Sequence, residues 1–286
     1  MLKHFLDIVG HNALTLTALI EAAARFKNKS AEVRHSNRAL ICIFEKPSTR
    51  TRVSFERAAW KLGAQAIILR SDEMQLGRGE SIADTARVLS RYGDAIMLRT
   101  TAHARLTELA TFSAVPVINA LTDKSHPCQI LADMLTCREA GLHLGKMNVA
   151  WIGDPNNVWR SWYEAATVFG FTLRTATPEA LWKKADGYLT IDPVEAVRGA
   201  DVVVTDTWVS MGCTDVFAQK DRLRPYQVTP TLMAAAKTSA IFLHCLPAMR
   251  GEEVVDAVMD GIQSRVLDEA ENRLYVQMAL LDWLWT

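Results

Sequence analysis

Eight short, nearly unbroken apolar runs punctuate the chain: residues 39–44 (ALICIF), 65–70 (QAIILR), 94–98 (DAIML), 115–118 (VPVI), 147–152 (MNVAWI), 171–174 (FTLR), 201–205 (DVVVT) and 240–245 (AIFLHC). Their length suits strands, and the lack of strict polar alternation suits strands covered on both faces, as in parallel sheets. Helical patterns lie between them. Val158, Trp162, Ala165, Ala166 and Phe169, for example, share one face at helical spacing. This alternation predicts an α/β chain with right-handed crossovers. A length of 286 residues exceeds what one small core usually holds. The division is expected within a helix running from Pro127 to about Ala140, with four runs on each side. A long terminal helix is expected over DEAENRLYVQMALLDWLW, with Asp268 as N-cap and Glu271 three residues on.

Composition removes several classes of function. Acidic and basic residues balance at 32 each, with no basic stripe, so nucleic acid is a poor partner. No apolar run approaches the roughly 20 residues of a membrane span. The start is broken by His4, Asp7, His11 and Asn12 and lacks the layout of a signal peptide. Five cysteines, at 42, 128, 137, 213 and 245, form no CxxC pair. A disulfide framework or structural zinc site is therefore not expected, no metal or organic cofactor is assigned, and the reducing cytoplasm is the expected compartment.

The polar residues gather where the apolar runs end. Ser48, Thr49, Arg50, Thr51 and Arg52 follow the first run and open a helix. A helix start offers unpaired N–H groups and the positive end of its dipole, and the hydroxyls and guanidinium groups add donors, so the cluster reads as an anion site. A capped helix with solvated arginines is the bland alternative. No GxxxxGK occurs, so a nucleoside triphosphate is not implied. Arg99 ends the third run, and His126, Pro127 and Gln129 open the helix after the fourth. In the second half, WIGDPNN carries one glycine rather than a dinucleotide fingerprint, and Asn156 and Asn157 are either helix caps or ligands. Asp206 opens DTWVSMG, whose acid, hydroxyl and amides suit a zwitterionic amino acid, and HCLP (His244 to Pro247) closes the last run.

In this order, STRTR, HPCQ, DTWVSMG, HCLP and ENR resemble the aspartate/ornithine carbamoyltransferase superfamily, and its ornithine branch in particular. The resemblance spans about Phe44 to Ala279. It implies two Rossmann-like domains, each a parallel sheet flanked by helices, with the terminal helix returning to the first. Residues 1–136 with 266–286 would bind carbamoyl phosphate, and 137–265 ornithine. It implies carbamoyl transfer to the δ-amine of L-ornithine, giving L-citrulline and phosphate, in arginine biosynthesis; breakdown uses the same chemistry. Ser48, Thr49, Arg50 and Thr51 match the phosphate loop, and Arg99, His126 and Gln129 the groups around the carbamoyl end. Gln75 matches a residue reaching into a neighbouring subunit. Asn157, Asp206, Ser210 and Met211 match the amino-acid site. Cys245 and Leu246 match the turn facing the reacting amine, with a cis Leu246–Pro247 bond. Arg273 matches the arginine of the terminal helix. The implied assembly is a homotrimer or a multiple of one, with shared sites. Arg99, His126, Asp206 and Cys245 are the candidate catalytic groups.

Pro155, Met249 and the loop after Gly212 depart from the family pattern. Three rivals stand beside this reading: a sister enzyme using N-acylornithine, putrescine or aspartate; a non-catalytic anion-binding relative; and a nicotinamide dehydrogenase, which the missing glycine-rich turn disfavours.

Overall fold

The computed structural model describes residues 2–30, 35–75, 79–209 and 214–286. Contacts divide the chain into two compact units, Met1–Ala132 with Asn272–Thr286, and Asp133–Glu271. Elements of the first are α1 (Ala13–Lys27), β1 (Ala39–Phe44), α2 (Thr49–Lys61), β2 (Gln65–Arg70), α3 (Ile82–Leu89), β3 (Ala95–Arg99), α4 (His103–Phe112), β4 (Val117–Leu121) and the start of α5 (Pro127–Glu139). The second holds β5 (Asn148–Ile152), α6 (Asn157–Phe169), β6 (Thr172–Ala176), β7 (Tyr188–Thr190), α7 (Pro193–Val197), β8 (Val202–Val204), α8 (Val216–Leu223), α9 (Pro230–Ala234), β9 (Ile241–Leu243) and α10 (Asp256–Met259). The last helix, α11 (Val266–Trp285), begins in the second unit and ends in the first.

Both sheets are parallel. The first has the order β2-β1-β3-β4 and the second β7-β6-β5-β8-β9. Central β1 is buried at five of six positions, whereas edge strand β2 alternates. In the first unit Ile41, Ile43, Ile96 and Leu98 pack with Leu106 and Leu109 of α4. In the second, Ile152, Val203 and Phe242 pack with Ala196 and Val197 of α7 and Met233 of α9.

Three local expectations change. The fourth run forms its strand over 117–121 rather than 115–118. The buried polar Asn119 hides that strand in a hydropathy reading; its amide donates to Leu6 O (2.8 Å) and Ser125 Oγ (3.0 Å). The second sheet has five strands, not four, because the three-residue β7 acquires strand character only by pairing with β6. Asp268 is not the N-cap of α11. The helix starts at Val266, and Glu269 N–H already donates to Arg265 O, so Asp268 sits in the first turn, where a carboxylate complements the dipole.

Each sheet has one topological switch point. In the first, the chain steps from β1 to β2 on one side and to β3 on the other, so the crevice opens beyond the carboxyl ends of β1 and β3. In the second, β6 and β7 lie on one side of β5, and β8 and β9 on the other, so it opens beyond β5 and β8. Parallel α/β sheets bind ligands at these places.

Candidate active site

The switch point of the first unit is flanked by the STRTR loop after β1 and by Arg99 at the end of β3. Ser48 caps α2, its side chain accepting the N–H of Thr51. Thr49 and Arg50 in the first turn are exposed, and Thr51 is buried. Thr51 Oγ1 accepts from two guanidiniums, Arg99 Nη1 (3.3 Å) and Arg273 Nη2 (3.3 Å). With both lone pairs engaged, its hydroxyl proton is left to point at a third partner. Arg273 Nη1 also donates to Gln129 Oε1 (2.7 Å), which fixes that amide so that its NH2 end is the donor. Arg273 thus binds α11 to the first turns of both α2 and α5.

His126, directly before α5, is buried. Its pKa is held well below the usual histidine value, first by burial and then by the positive charges of Arg273 and Arg99. It is neutral around pH 7 and carries one N–H. Two guanidiniums, a neutral imidazole, a neutral amide and hydroxyl groups make a donor-rich, positively charged site, suited to an anion.

In the second unit, β5 is followed by Gly153, whose φ of +119° is reserved for glycine. The chain then turns into α6. Asn156 does two things there. Its Oδ1 caps the helix, accepting from Val158 N (2.9 Å) and Trp159 N (3.1 Å), and its Nδ2 donates to Asp206 Oδ2 (2.7 Å). Asp206 lies just past β8, with Oδ1 accepting from Thr207 N (2.8 Å) and from the Cys245 thiol (3.2 Å). Three donors thus orient one carboxylate. Burial raises the Cys245 pKa well above the ordinary thiol value, and the negative charges of Asp206, Glu269 and Asp133 add to this. Cys245 is therefore a protonated donor, not a resting thiolate.

The turn that carries Cys245 is built from its neighbours. The Leu246–Pro247 peptide is cis, as the family resemblance implies, and Leu246 has a φ of +57°. Leu246 N–H donates to His244 Nδ1 (2.9 Å), which leaves the proton on Nε2, facing Glu253 Oε1 at 3.1 Å. Asp206, His244 and Cys245 bring potential metal ligands within 4.8 Å of one another. Both nitrogens of His244 are engaged in holding the turn, however, so the imidazole has none to offer an ion.

Not every candidate joins these two clusters. Asn157 opens α6, half-buried, but it is Asn156 that reaches Asp206. Gln75 lies exposed between β2 and α3, and its side chain makes no hydrogen bond among the described residues. Ser210 and Met211 lie outside the described residues. The sequence reading missed Glu45, which accepts from Arg105 and Thr100 beside the anion loop. A single acid after an apolar run carries no signal of its own.

Comparison with known proteins agrees with this geometry. Residues 3–139 match the family described as aspartate/ornithine carbamoyltransferase, carbamoyl-P binding domain, and residues 145–284 match its Asp/Orn binding domain. The chain is 52% identical to the ornithine carbamoyltransferase of Rhodopseudomonas palustris (strain BisA53), covering 98% of this chain and 96% of the relative. It is 52% identical to that of Brucella suis, covering 99% and 95%. Among solved structures, ornithine carbamoyltransferase from Pyrococcus furiosus superposes with a TM-score of 0.91 at 44% identity, covering 98% of this chain and 96% of that one. Two sheets with their switch-point clusters, and both family domains matched in order along nearly the whole length, lead to one conclusion: the chain belongs to the aspartate/ornithine carbamoyltransferase family.

Proposed function

We propose that this protein transfers the carbamoyl group of carbamoyl phosphate to the δ-amine of L-ornithine, giving L-citrulline and phosphate. The observation that carries this is the opposite character of the two switch points: a guanidinium-rich cradle at Thr51 and a carboxylate–thiol pair at Asp206 and Cys245. One suits an acyl phosphate, the other a cationic amine. Relatives at about half identity that bear the name ornithine carbamoyltransferase support the same acceptor.

Phosphate gains charge as it leaves. Arg50, Arg99 and the N–H groups opening α2 supply fixed donors, with Ser48 and Thr49 beside them, and hydrogen bonds to charged groups contribute roughly 1.5–3 kcal/mol each. Thr51, Arg99 and His126 serve the carbamoyl oxygen as negative charge develops on it, with Gln129 orienting the group and Arg273 orienting Gln129. Because His126 is neutral, it donates without adding a third full charge to the cradle. In the second unit Asp206 binds the amino-acid substrate, helped by Asn157 and by Ser210 and Met211 on the family pattern, and Leu246 lines the turn facing the amine.

The attacking nitrogen must first lose a proton. An alkylamine of pKa about 10.4 is free base in roughly one molecule in a few thousand at pH 7. Cys245, held as a thiol, is no resting base. It can pass a proton only by giving its own to Asp206 as it takes the amine's. The nitrogen lone pair then forms the C–N bond, the C–O bond to phosphate breaks with its electron pair, and the departing phosphate takes up the second proton that the nitrogen sheds. Orientation of two bound reactants lowers such barriers by about 7–11 kcal/mol. The carbamoyl group arrives already activated, so the residues above complete the chemistry.

We further propose a trimer with shared sites, in the cytoplasm and in arginine biosynthesis. Val53 and Trp60 of α2 and Ile67 of edge strand β2 are exposed, which supports a subunit contact along that edge. Beside it a cleft of about 620 Å³ runs past Ser48, Thr49, Arg52 and Arg70 and suits a polar side chain such as Gln75 of a partner subunit. The described cysteines 42, 128, 137 and 245 are unbridged, in keeping with a reducing compartment. Among the described residues no helix is long and apolar enough to cross a membrane. A colorimetric citrulline assay with carbamoyl phosphate and a panel of ornithine, N-acetylornithine, putrescine and aspartate tests the function. Turnover of ornithine by at least 100-fold over the others is expected; preference for another amine would replace the acceptor.

A further inference from the structure

Glu45 poses a physical problem. A carboxylate only three positions before Ser48 borders the cleft beside the anion loop, where negative charge opposes an incoming phosphate. It is the residue directly after β1, and its backbone N–H donates to Arg99 O (2.9 Å) at the end of neighbouring β3. Its side chain is mostly buried and fully engaged. Oε1 accepts both Nε (2.9 Å) and Nη2 (2.7 Å) of Arg105 in the first turn of α4, and Oε2 accepts Thr100 Oγ1 (2.5 Å). Thr100 follows Arg99 immediately. Its N–H donates to Leu121 O (3.1 Å), and its hydroxyl also accepts Ala102 N–H (3.3 Å).

We propose that Arg105 is a positioning residue for the phosphate cradle: it holds Glu45 down onto Thr100, fixing the strand end that carries Arg99 and keeping an acidic charge from opposing the bound anion. This rests on the anion reading of the cradle. Two contributions follow from the geometry. The Glu45–Thr100 bond joins the two strand ends from which the STRTR loop and Arg99 project. The forked Arg105 contact neutralises the carboxylate and turns it towards α4, a geometry that lysine cannot reproduce. Without Arg105, the same carboxylate is a competitor for the guanidiniums of the cradle.

Charge rescue separates this role from simple support of the fold. In the full chain, Arg105→Met is expected to raise the KM for carbamoyl phosphate, and the Kd for inorganic phosphate by calorimetric titration, at least tenfold. The KM for ornithine should change less than twofold. Adding Glu45→Gln to Arg105→Met should recover most of the lost anion affinity, because the unneutralised charge is gone. Glu45→Gln alone should cost no more than about fivefold. A merely structural pair would leave the double variant as weak as Arg105→Met or weaker, and that result overturns the proposal, as does an Arg105→Met protein with unchanged phosphate affinity. If Arg105→Met fails to fold, Arg105→Gln, which removes the charge but keeps a hydrogen-bond donor, takes its place, with the same rescue required. The phosphate titration needs no turnover. A wild-type protein that makes no citrulline would sink the functional reading, while the rescue would still be scored.

Discussion

The two switch-point sites use the same fold position for opposite chemistry. In the first unit, donors from α2, β3, α5 and α11 converge, tied together through Thr51 and Arg273. In the second, a single carboxylate receives donors from the ends of β5, β8 and β9 through Asn156, Thr207 and Cys245. The first is a charged scaffold cross-braced by its own hydrogen bonds. The second is one acceptor with a protonated thiol on it, and a cationic guest is what would complete it. The contrast shows that a parallel sheet supplies only the place. The sign of the charge comes from a few strand-end residues.

The largest effect should come from breaking the cradle. Arg99→Met is expected to lower kcat/KM for carbamoyl phosphate by roughly 100-fold, about the worth of a charged hydrogen bond of 3 kcal/mol, leaving ornithine binding in the calorimeter unchanged. Asp206→Asn should show the mirror pattern: a KM for ornithine raised about 30-fold, with phosphate affinity within twofold of wild type. Equal damage to both substrates in either variant would dissolve the division of labour. Cys245→Ala should lower kcat about tenfold and steepen its dependence on pH below 9, because fewer routes remain for the amine proton. Cys245→Ser, which keeps a donor on Asp206, should fall between; a pH profile identical to wild type in both would discard the relay.

His126 provides a smaller, purely thermodynamic test. Its folded-state pKa lies well below the value of about 6.5 that it has when unfolded. As the pH falls below about 6.5, the unfolded chain takes up a proton that the folded chain refuses. Stability should therefore drop towards acid, by at most about 1.4 kcal/mol per pH unit from this group, and the drop continues down to the folded-state pKa. Urea melts of His126→Gln between pH 5 and 7.5 should show a correspondingly shallower slope. The smallest effect belongs to Ser48→Ala, which removes the cap of α2 and should cost about 1 kcal/mol of stability.

Much of this was legible in the residues, and the failures have physical causes. Seven of the apolar runs mark strands nearly where they fall: the central ones because a strand buried on both faces must be apolar, and the more exposed β2 and β6 because they keep enough apolar residues to pair beside them. Asn119 and β7 escaped, the first because its polarity is satisfied only by distant Leu6 and Ser125, the second because three residues carry no pattern. The STRTR loop and Asp206 stood out because several donors, or an acid with a hydroxyl, are gathered at strand ends, where α/β folds collect ligands. Asn156 as the cap of α6 was one of the two readings its position allowed, but its hold on Asp206 was not readable, nor was the contact of Arg105 with Glu45. Each depends on a partner brought near by the fold, Asp206 at 50 positions' remove and Glu45 at 60.

The central claim is that the cradle and the carboxylate serve one reaction. Calorimetric titration with a bisubstrate analogue, a carbamoyl phosphonate joined through its carbonyl to the δ-nitrogen of ornithine, tests it most directly. This compound should bind at least 100-fold more tightly than either phosphate or ornithine alone, with the gain abolished in both Arg99→Met and Asp206→Asn. An affinity no better than that of the stronger single ligand would contradict it.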